Sequence, residues 1–149
     1  MDVVTPKQRS RNMRAIRSKN TKPEIYFRKL LFSQGYRYSL YSKHIPGHPD
    51  IYLKKYNTAI FIHGCFWHRH LECKYAYIPK SRVEFWQKKF EMNQQRDKKV
   101  KQELKDKNIK CLIVWECTIN QMKRKVETKK NKLEVTINFL SRGYGFLEL

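Results

Sequence analysis

Two cysteines and a histidine fall in one short segment, Cys65-x4-His70-x2-Cys73, directly after a run of strand-forming residues, and Cys117 directly follows another such run. Few local patterns constrain a fold more. Thiolate and imidazole ligands at this spacing make a Cys3His tetrahedral zinc site, and four protein ligands leave no position for water, so the metal would be structural. The alternatives are ordinary buried thiols beside surface histidines, or a disulfide, which a reducing compartment disfavours. Cys111, inside an apolar run, reads as a small core residue.

The rest of the composition asks for a polyanion. Of 149 residues, 33 are Lys or Arg and 13 are Asp or Glu, a formal charge of +20. Hydrophobic residues at 40% and aromatics at 13% supply a core, so the chain reads as a folded basic domain rather than a disordered tail. The length fits one domain. Within it we expect a basic N-terminal arm over 1–20, a core over 21–120 and a Lys-rich helical extension over 121–149. The apolar runs at 59–62 and 111–115 are too short to span a bilayer, and the first residues carry no export signal, which points to the cytoplasm and away from membranes. Nucleic acid is the commonest polyanion, and acidic lipid is its rival.

Local signals set out the elements. Thr5-Pro6-Lys7-Gln8 reads as the start of a short basic helix carrying Met13 and Ile16, and Thr21-Lys22-Pro23-Glu24 repeats the capping signature more strongly. The second helix should run through Ile25, Phe27, Leu30 and Leu31 and stop at Gly35. Residues 36–40 alternate like a strand, and the turn-rich stretch from Ile45 to Asp50 delivers the chain into a short strand, Ile51-Tyr52-Leu53. A polar turn over 54–57 leads to a returning, more buried strand over 58–63. A long helix, capped at Ser81 with Glu84 three residues on, should reach about Asp106. Its stripe holds Trp86, Phe90, Val100 and Leu104, with Asn93 and Asp97 midway along the same face. A strand over 109–115 and one or two C-terminal helices complete an α/β layer arrangement around a small mixed sheet.

Pro49-Asp50 before a short hairpin resembles the start of the PD-(D/E)xK, restriction-endonuclease-like nuclease fold, in which a carboxylate at a strand end holds a divalent metal beside a phosphate. The following strand of that superfamily supplies an acid, one residue, then Lys. Residues 58–63 offer neither, and His63 stands there instead, with His68 and His70 close behind. Mg²⁺ tolerates one carboxylate with water and a backbone carbonyl as its other ligands, and His is the side chain best suited to act as base.

The run His63-Gly64-Cys65-Phe66-Trp67-His68-Arg69-His70, followed by Glu84-Phe85-Trp86, Asn93, Arg96-Asp97 and Trp115-Glu116-Cys117, closely resembles the very-short-patch repair (Vsr) mismatch endonucleases. The likeness extends from about Ser10 to Thr118 and includes Arg11-Asn12-Met13-Arg14, Thr21 to Glu24, and Pro46-Gly47-x-Pro49-Asp50. The resemblance implies Asp50 as the catalytic carboxylate on Mg²⁺, the backbone carbonyl of Ile62 as its partner, and His63 and His68 around the scissile phosphate, with His68 as general base. It implies Cys65, His70, Cys73 and Cys117 as zinc ligands, and Phe66, Trp67 and Trp86 as aromatics inserted beside the mismatch. The spacing from His70 to Cys73 and His48 before Pro49 depart from the family's usual pattern.

Several residues keep two readings. Trp67 is a DNA wedge or a core residue, since tryptophan is usually well buried. Asn93 and Asp97 satisfy buried backbone groups, orient His68 or reach a base edge. Arg11, Arg14 and Lys19 form a solvated face or contact phosphates, and the overall charge favours phosphates. The function implied is a monomeric bacterial, nucleoid-associated DNA endonuclease, dependent on Mg²⁺ and stabilised by zinc, that nicks 5′ of the thymine in T·G mismatches left by deaminated 5-methylcytosine. Its companions would be a DNA cytosine-5 methyltransferase and repair synthesis factors. The rivals are a nickase of the same fold serving restriction or phage defence, and a non-catalytic DNA-binding module.

Overall fold

The computed structural model describes residues 19–149. The first basic helix expected from Thr5, with Arg11 and Arg14, lies outside the described residues.

Helix α1, Lys22–Ser33, starts as its signature predicts: the Thr21 hydroxyl accepts from the Glu24 amide at 3.4 Å, with Pro23 in the first turn. The Glu24 carboxylate accepts from the amide of Asn20 rather than that of Thr21, at 3.1 Å. At the other end Gly35 takes φ +92°, which lets its amide reach Phe32 O and that of Tyr36 reach Leu31 O, a Schellman closure. The strand expected over 36–40 is shorter than its alternation implies. Only β1, Ser39–Leu40, pairs, because its neighbour β2, Ile51–Leu53, is itself three residues long. Tyr36 and Tyr38 nonetheless pack against the core.

A 3-10 turn, Lys54–Tyr56, and Asn57 with φ 46° return the chain into β3, Thr58–His63, antiparallel to β2. A loop then leads to α2, Val83–Asp106, which crosses to β4, Lys110–Trp115, laid parallel to β3. Helix α2 begins one residue later than the Ser81 signature suggested. Its N-cap is Arg82 at φ 54°, with no side-chain cap, and the Arg82 guanidinium lies 4.2 Å over the Phe85 ring instead. Two helices follow, α3 Glu116–Arg124 and α4 Val126–Arg142, then a strand that periodicity did not reveal, β5 Phe146–Glu148, parallel to β4. The sheet order is β1-β2-β3-β4-β5, antiparallel on one side and parallel on the other.

Strand alternation sorts the core into two layers. Ile60, Leu112 and Val114 face α1, α3 and α4, where Phe27, Leu31, Ile119, Met122 and Leu140 are buried. Ala59, Cys111 and Ile113 face α2, against Leu104 and Val100. Cys111 is therefore a small core residue, as its apolar strand implied. Helices thus cover both faces of a small mixed sheet, and no helix among the described residues is long and apolar enough to cross a membrane.

Candidate active site

The parallel register His63↔Trp115 aligns the ends of β3 and β4, so Cys65 and Cys117, each two residues further on, emerge side by side. Tight turns bring His70 and Cys73 back to them: the His70 amide donates to Cys65 O at 3.0 Å and the Cys73 amide to His70 O at 3.3 Å. Arg69 staples this loop, donating to the carbonyls of Phe66, Ala76 and Tyr77 while its guanidinium lies 3.9 Å over Phe90. The ligand atoms of Cys65, His70, Cys73 and Cys117 lie within 4.8 Å of one another, and Cys117 Sγ is 3.4 Å from His70 Nδ1. Ideal tetrahedral zinc would set such atoms roughly 3.3–3.8 Å apart. Burial pushes the Cys65 thiol up to about 12 and raises that of Cys117, so these thiols need a cation beside them to ionise. The donor set fits a soft tetrahedral metal.

Asp50 ends the turn before β2. Gly47 makes that turn possible: it sits at φ +80°, and a Cβ there would come within 2.5 Å of Val100. Since Ile51 pairs with Ile60, the ladder would next place Pro49, which has no amide donor, opposite Ile62. The Asp50 carboxylate takes that place, accepting from the Ile62 amide at 2.7 Å. A strand residue projects its N–H and C=O to the same edge, so the Ile62 carbonyl shares this edge with Asp50.

A second carboxylate, not singled out for chemistry in the sequence, meets the first. Glu24 is 3% exposed in the first turn of α1 and lines the same groove as Asp50. Burial raises the Asp50 carboxyl to about 7, the Ile62 amide opposes the rise, and Glu24 adds to it. Among the described residues neither acid has an ion pair with a basic side chain, in a chain of charge +20. Two neighbouring acids without a counter-charge among the described residues fit a hard divalent cation.

His63 and His68 stack with ring centroids 3.8 Å apart and planes 4° from parallel. Burial drives His63 down to about 3, with His68 assisting and Asp97 opposing, so His63 is neutral at working pH. His68 Nδ1 lies 2.7 Å from Asp97 Oδ2, which leaves Nε2 free when Nδ1 carries the proton. The His63, His68 and Asp97 ligand atoms also lie within 4.8 Å of one another. Parallel rings nevertheless aim their lone pairs along separate planes, an arrangement suited to proton transfer rather than to a shared ion. Asn93, one turn before Asp97, donates to Trp67 O at 3.1 Å and so anchors the loop that carries His68.

These groups line one groove of about 790 Å³, with Lys89, Arg96 and Lys101 along its α2 wall. The aromatics divide by depth. Phe66 and Trp67 are half-buried and Trp67 lines the groove, whereas Trp86 is 5% exposed beneath them, its ring 5.4 and 5.7 Å from theirs. Trp86 is therefore the floor of the cluster in this conformation. Lys19 is exposed, 5.0 Å over the Tyr41 ring.

Neighbouring acids before a strand, an aspartate-bound imidazole and basic side chains along one wall of the groove are the equipment of a nuclease. The chain belongs to the Vsr family of DNA mismatch endonucleases and related nicking enzymes. The family model for the DNA mismatch endonuclease Vsr matches residues 1–74. Among curated relatives, the type II nicking enzyme V.NmeAIP of Neisseria meningitidis serogroup A is 48% identical over 118 residues, covering 79% of this chain and 84% of that one. The type II nicking enzyme V.XorIIP of Xanthomonas oryzae pv. oryzae is 40% identical over 121 residues, 81% and 88% of the two chains. The DNA mismatch endonuclease Vsr of Escherichia coli K12 is 39% identical over 118 residues, 79% and 75% of the two chains.

Proposed function

We propose that the protein nicks one strand of duplex DNA 5′ of the thymine in T·G mismatches, with catalytic Mg²⁺ and structural Zn²⁺, on a single PD-(D/E)xK-type domain. The observation that carries this reading is the convergence, in one groove with Lys89, Arg96 and Lys101 along a wall, of Asp50 beside Glu24 and of the His68–Asp97 pair. Asp50, Glu24 and the Ile62 carbonyl would hold Mg²⁺, which when bound supplies charge neutralisation for the phosphate oxygens. Cys65, His70, Cys73 and Cys117 would hold zinc and so fix the loop that presents His68.

In this mechanism His68 Nε2 takes a proton from the attacking water while Asp97 holds the ring and balances its new charge. The water oxygen bonds to phosphorus in line with the leaving group, and the phosphorus–O3′ bond breaks. Neutral His63 donates a hydrogen bond to the departing O3′, which takes its proton from solvent. Phe66 and Trp67 stack on the bases opened at the mismatch, supported from below by Trp86, and Arg11, Arg14 and Lys19 contact phosphates. The companions this function requires are a DNA cytosine-5 methyltransferase and repair synthesis factors, with the enzyme acting as a monomer at the bacterial nucleoid.

The Neisseria and Xanthomonas relatives are named type II nicking enzymes, and the second reading is a nickase of this fold serving restriction or phage defence, with relaxed mismatch dependence. A strand-specific nicking assay on duplexes carrying T·G, A·C or no mismatch, in many sequence contexts, separates the two. Cleavage confined to T·G supports repair, comparable cleavage of matched DNA supports the second reading, and no cleavage of any duplex overturns both.

A further inference from the structure

Tyr41 follows β1 with a backbone φ of 51°. An aromatic residue in the left-handed region is strained, and such strain persists only where the surroundings hold it. Here the conformation folds the side chain back onto the start of α1. The Tyr41 hydroxyl donates to Glu24 Oε2 and accepts from the Asn20 amide at 2.7 Å, and that amide also donates to Glu24 Oε2 at 3.1 Å. Both donors fall on one carboxylate oxygen. That oxygen is thereby fixed from two segments of the chain, and the carboxylate it belongs to lines the same groove as Asp50.

We propose that Tyr41 is a positioning residue for the divalent-cation site: its hydroxyl, clamped between Glu24 and the Asn20 amide, holds the Glu24 carboxylate against Asp50 in the orientation that binds metal. The proposal rests on the reading of Asp50 and Glu24 as the Mg²⁺ ligands. Without the hydroxyl, Glu24 keeps the Asn20 amide alone and can turn about its last torsion. A cation then has to order the carboxylate as it binds, and affinity falls while the chemistry at saturation is retained. Tyr38 provides a matched comparison, since its hydroxyl donates to Arg28 O at 3.0 Å on the same helix without touching Glu24.

The test compares Tyr41→Phe, Tyr38→Phe and Glu24→Gln in the zinc-loaded full chain. Two quantities are read: Mn²⁺ affinity by electron paramagnetic resonance in the absence of DNA, and the Mg²⁺ concentration giving half-maximal nicking of a T·G duplex. Tyr41→Phe should weaken Mn²⁺ binding and raise the Mg²⁺ midpoint by about 10-fold, as expected for one lost hydrogen bond to a charged group. Its rate at saturating Mg²⁺ should stay within about 2-fold of wild type, and its melting temperature should match that of Tyr38→Phe, whose metal affinity should be unchanged. If Tyr41→Phe binds Mn²⁺ like wild type while Glu24→Gln does not, the positioning role is wrong and the carboxylate pair stands. A loss of saturated rate with unchanged affinity also overturns it. If Glu24→Gln leaves both quantities unchanged, the underlying reading of the metal site fails.

Discussion

Asp50 carries a carboxyl pushed to about 7 by burial and by Glu24, and that cost to the fold is the source of its use. Its folded value lies above the ordinary carboxylate range, so the folded state retains a proton that the unfolded state releases, and stability falls as pH rises from about 4 to 7. Asp50→Asn keeps an acceptor for the Ile62 amide and removes the charge. In Mg²⁺-free buffer it should be more stable than wild type at pH 8 by up to a few kcal/mol, since each tenfold change in proton affinity is worth about 1.4 kcal/mol, and nearly equal at pH 4. Urea melts at the two pH values check this, and an advantage of the same size at both would refute the linkage. The same variant should lose nicking while binding a T·G duplex as tightly as wild type or more so. At His68 the expectation concerns rate: His68→Ala should cut nicking roughly 10²–10⁴-fold, the range for loss of a general base. Asp97→Asn should have a smaller effect than His68→Ala, because it disturbs the base without deleting it; single-turnover rates decide, and an active His68→Ala protein would move the base elsewhere.

At the scale of elements, the parallel β3–β4 pair does two jobs with one register. It brings Cys65 beside Cys117, and it seats the Trp115 indole between His70 of the Cys/His cluster, at 4.1 Å, and His63 at 5.2 Å. The Cys/His cluster, its loop and His63 are thus mechanically linked. Metal analysis of purified protein should give one zinc per chain. Cys117→Ser should lose it and melt at lower temperature, since folding is coupled to metal, while Cys111→Ser should keep it, because Cys111 faces α2 in the core. Full zinc in Cys117→Ser, or loss in Cys111→Ser, would refute the ligand set. Helix α2 supplies the other wall, and its midpoint polar pair belongs to the groove: Asn93 anchors the loop and Asp97 holds the His68 ring.

For the whole molecule, a charge of +20 conflicts with the proposed mismatch selectivity, under which the protein would ignore nearly all the DNA it meets. Charge supplies affinity through counterion release and is indifferent to pairing. Selectivity then comes from the cost of opening a base step, roughly a few kcal/mol and least where pairing is already imperfect. The half-buried Trp67, at the groove with Trp86 beneath it, is placed to recover that cost by stacking. Trp67→Ala should therefore lower T·G nicking much more than affinity for matched duplex, with the salt slope unchanged. Replacing Arg14 and Lys19 by Ala should lower the salt slope by about 2, if each neutralises one phosphate, and keep the mismatch preference. Equal loss of matched and mismatched binding in Trp67→Ala would make Trp67 a packing residue.

What the sequence determined by itself lies within short spans: the Cys65–His70–Cys73 spacing, the Pro49-Asp50 turn, the capping of α1 and the stripe of α2. Ligand spacing, turn chemistry and helical period are local properties, legible without a fold. The alternation over 36–40 and the Ser81 signature were local too and misled about extent, because strand length depends on a partner and a helix start on its neighbours' packing. Strand β5 was hidden because its few residues acquire strand geometry only from the ladder that β4 offers. The tertiary structure alone decided that Glu24 meets Asp50, that Tyr41 reaches back to Glu24, that Asp97 takes His68 and that Trp86 lies beneath Phe66 and Trp67. Each of these joins residues from different elements, and such contacts follow from how helices and sheet pack, which no periodicity in a single segment encodes.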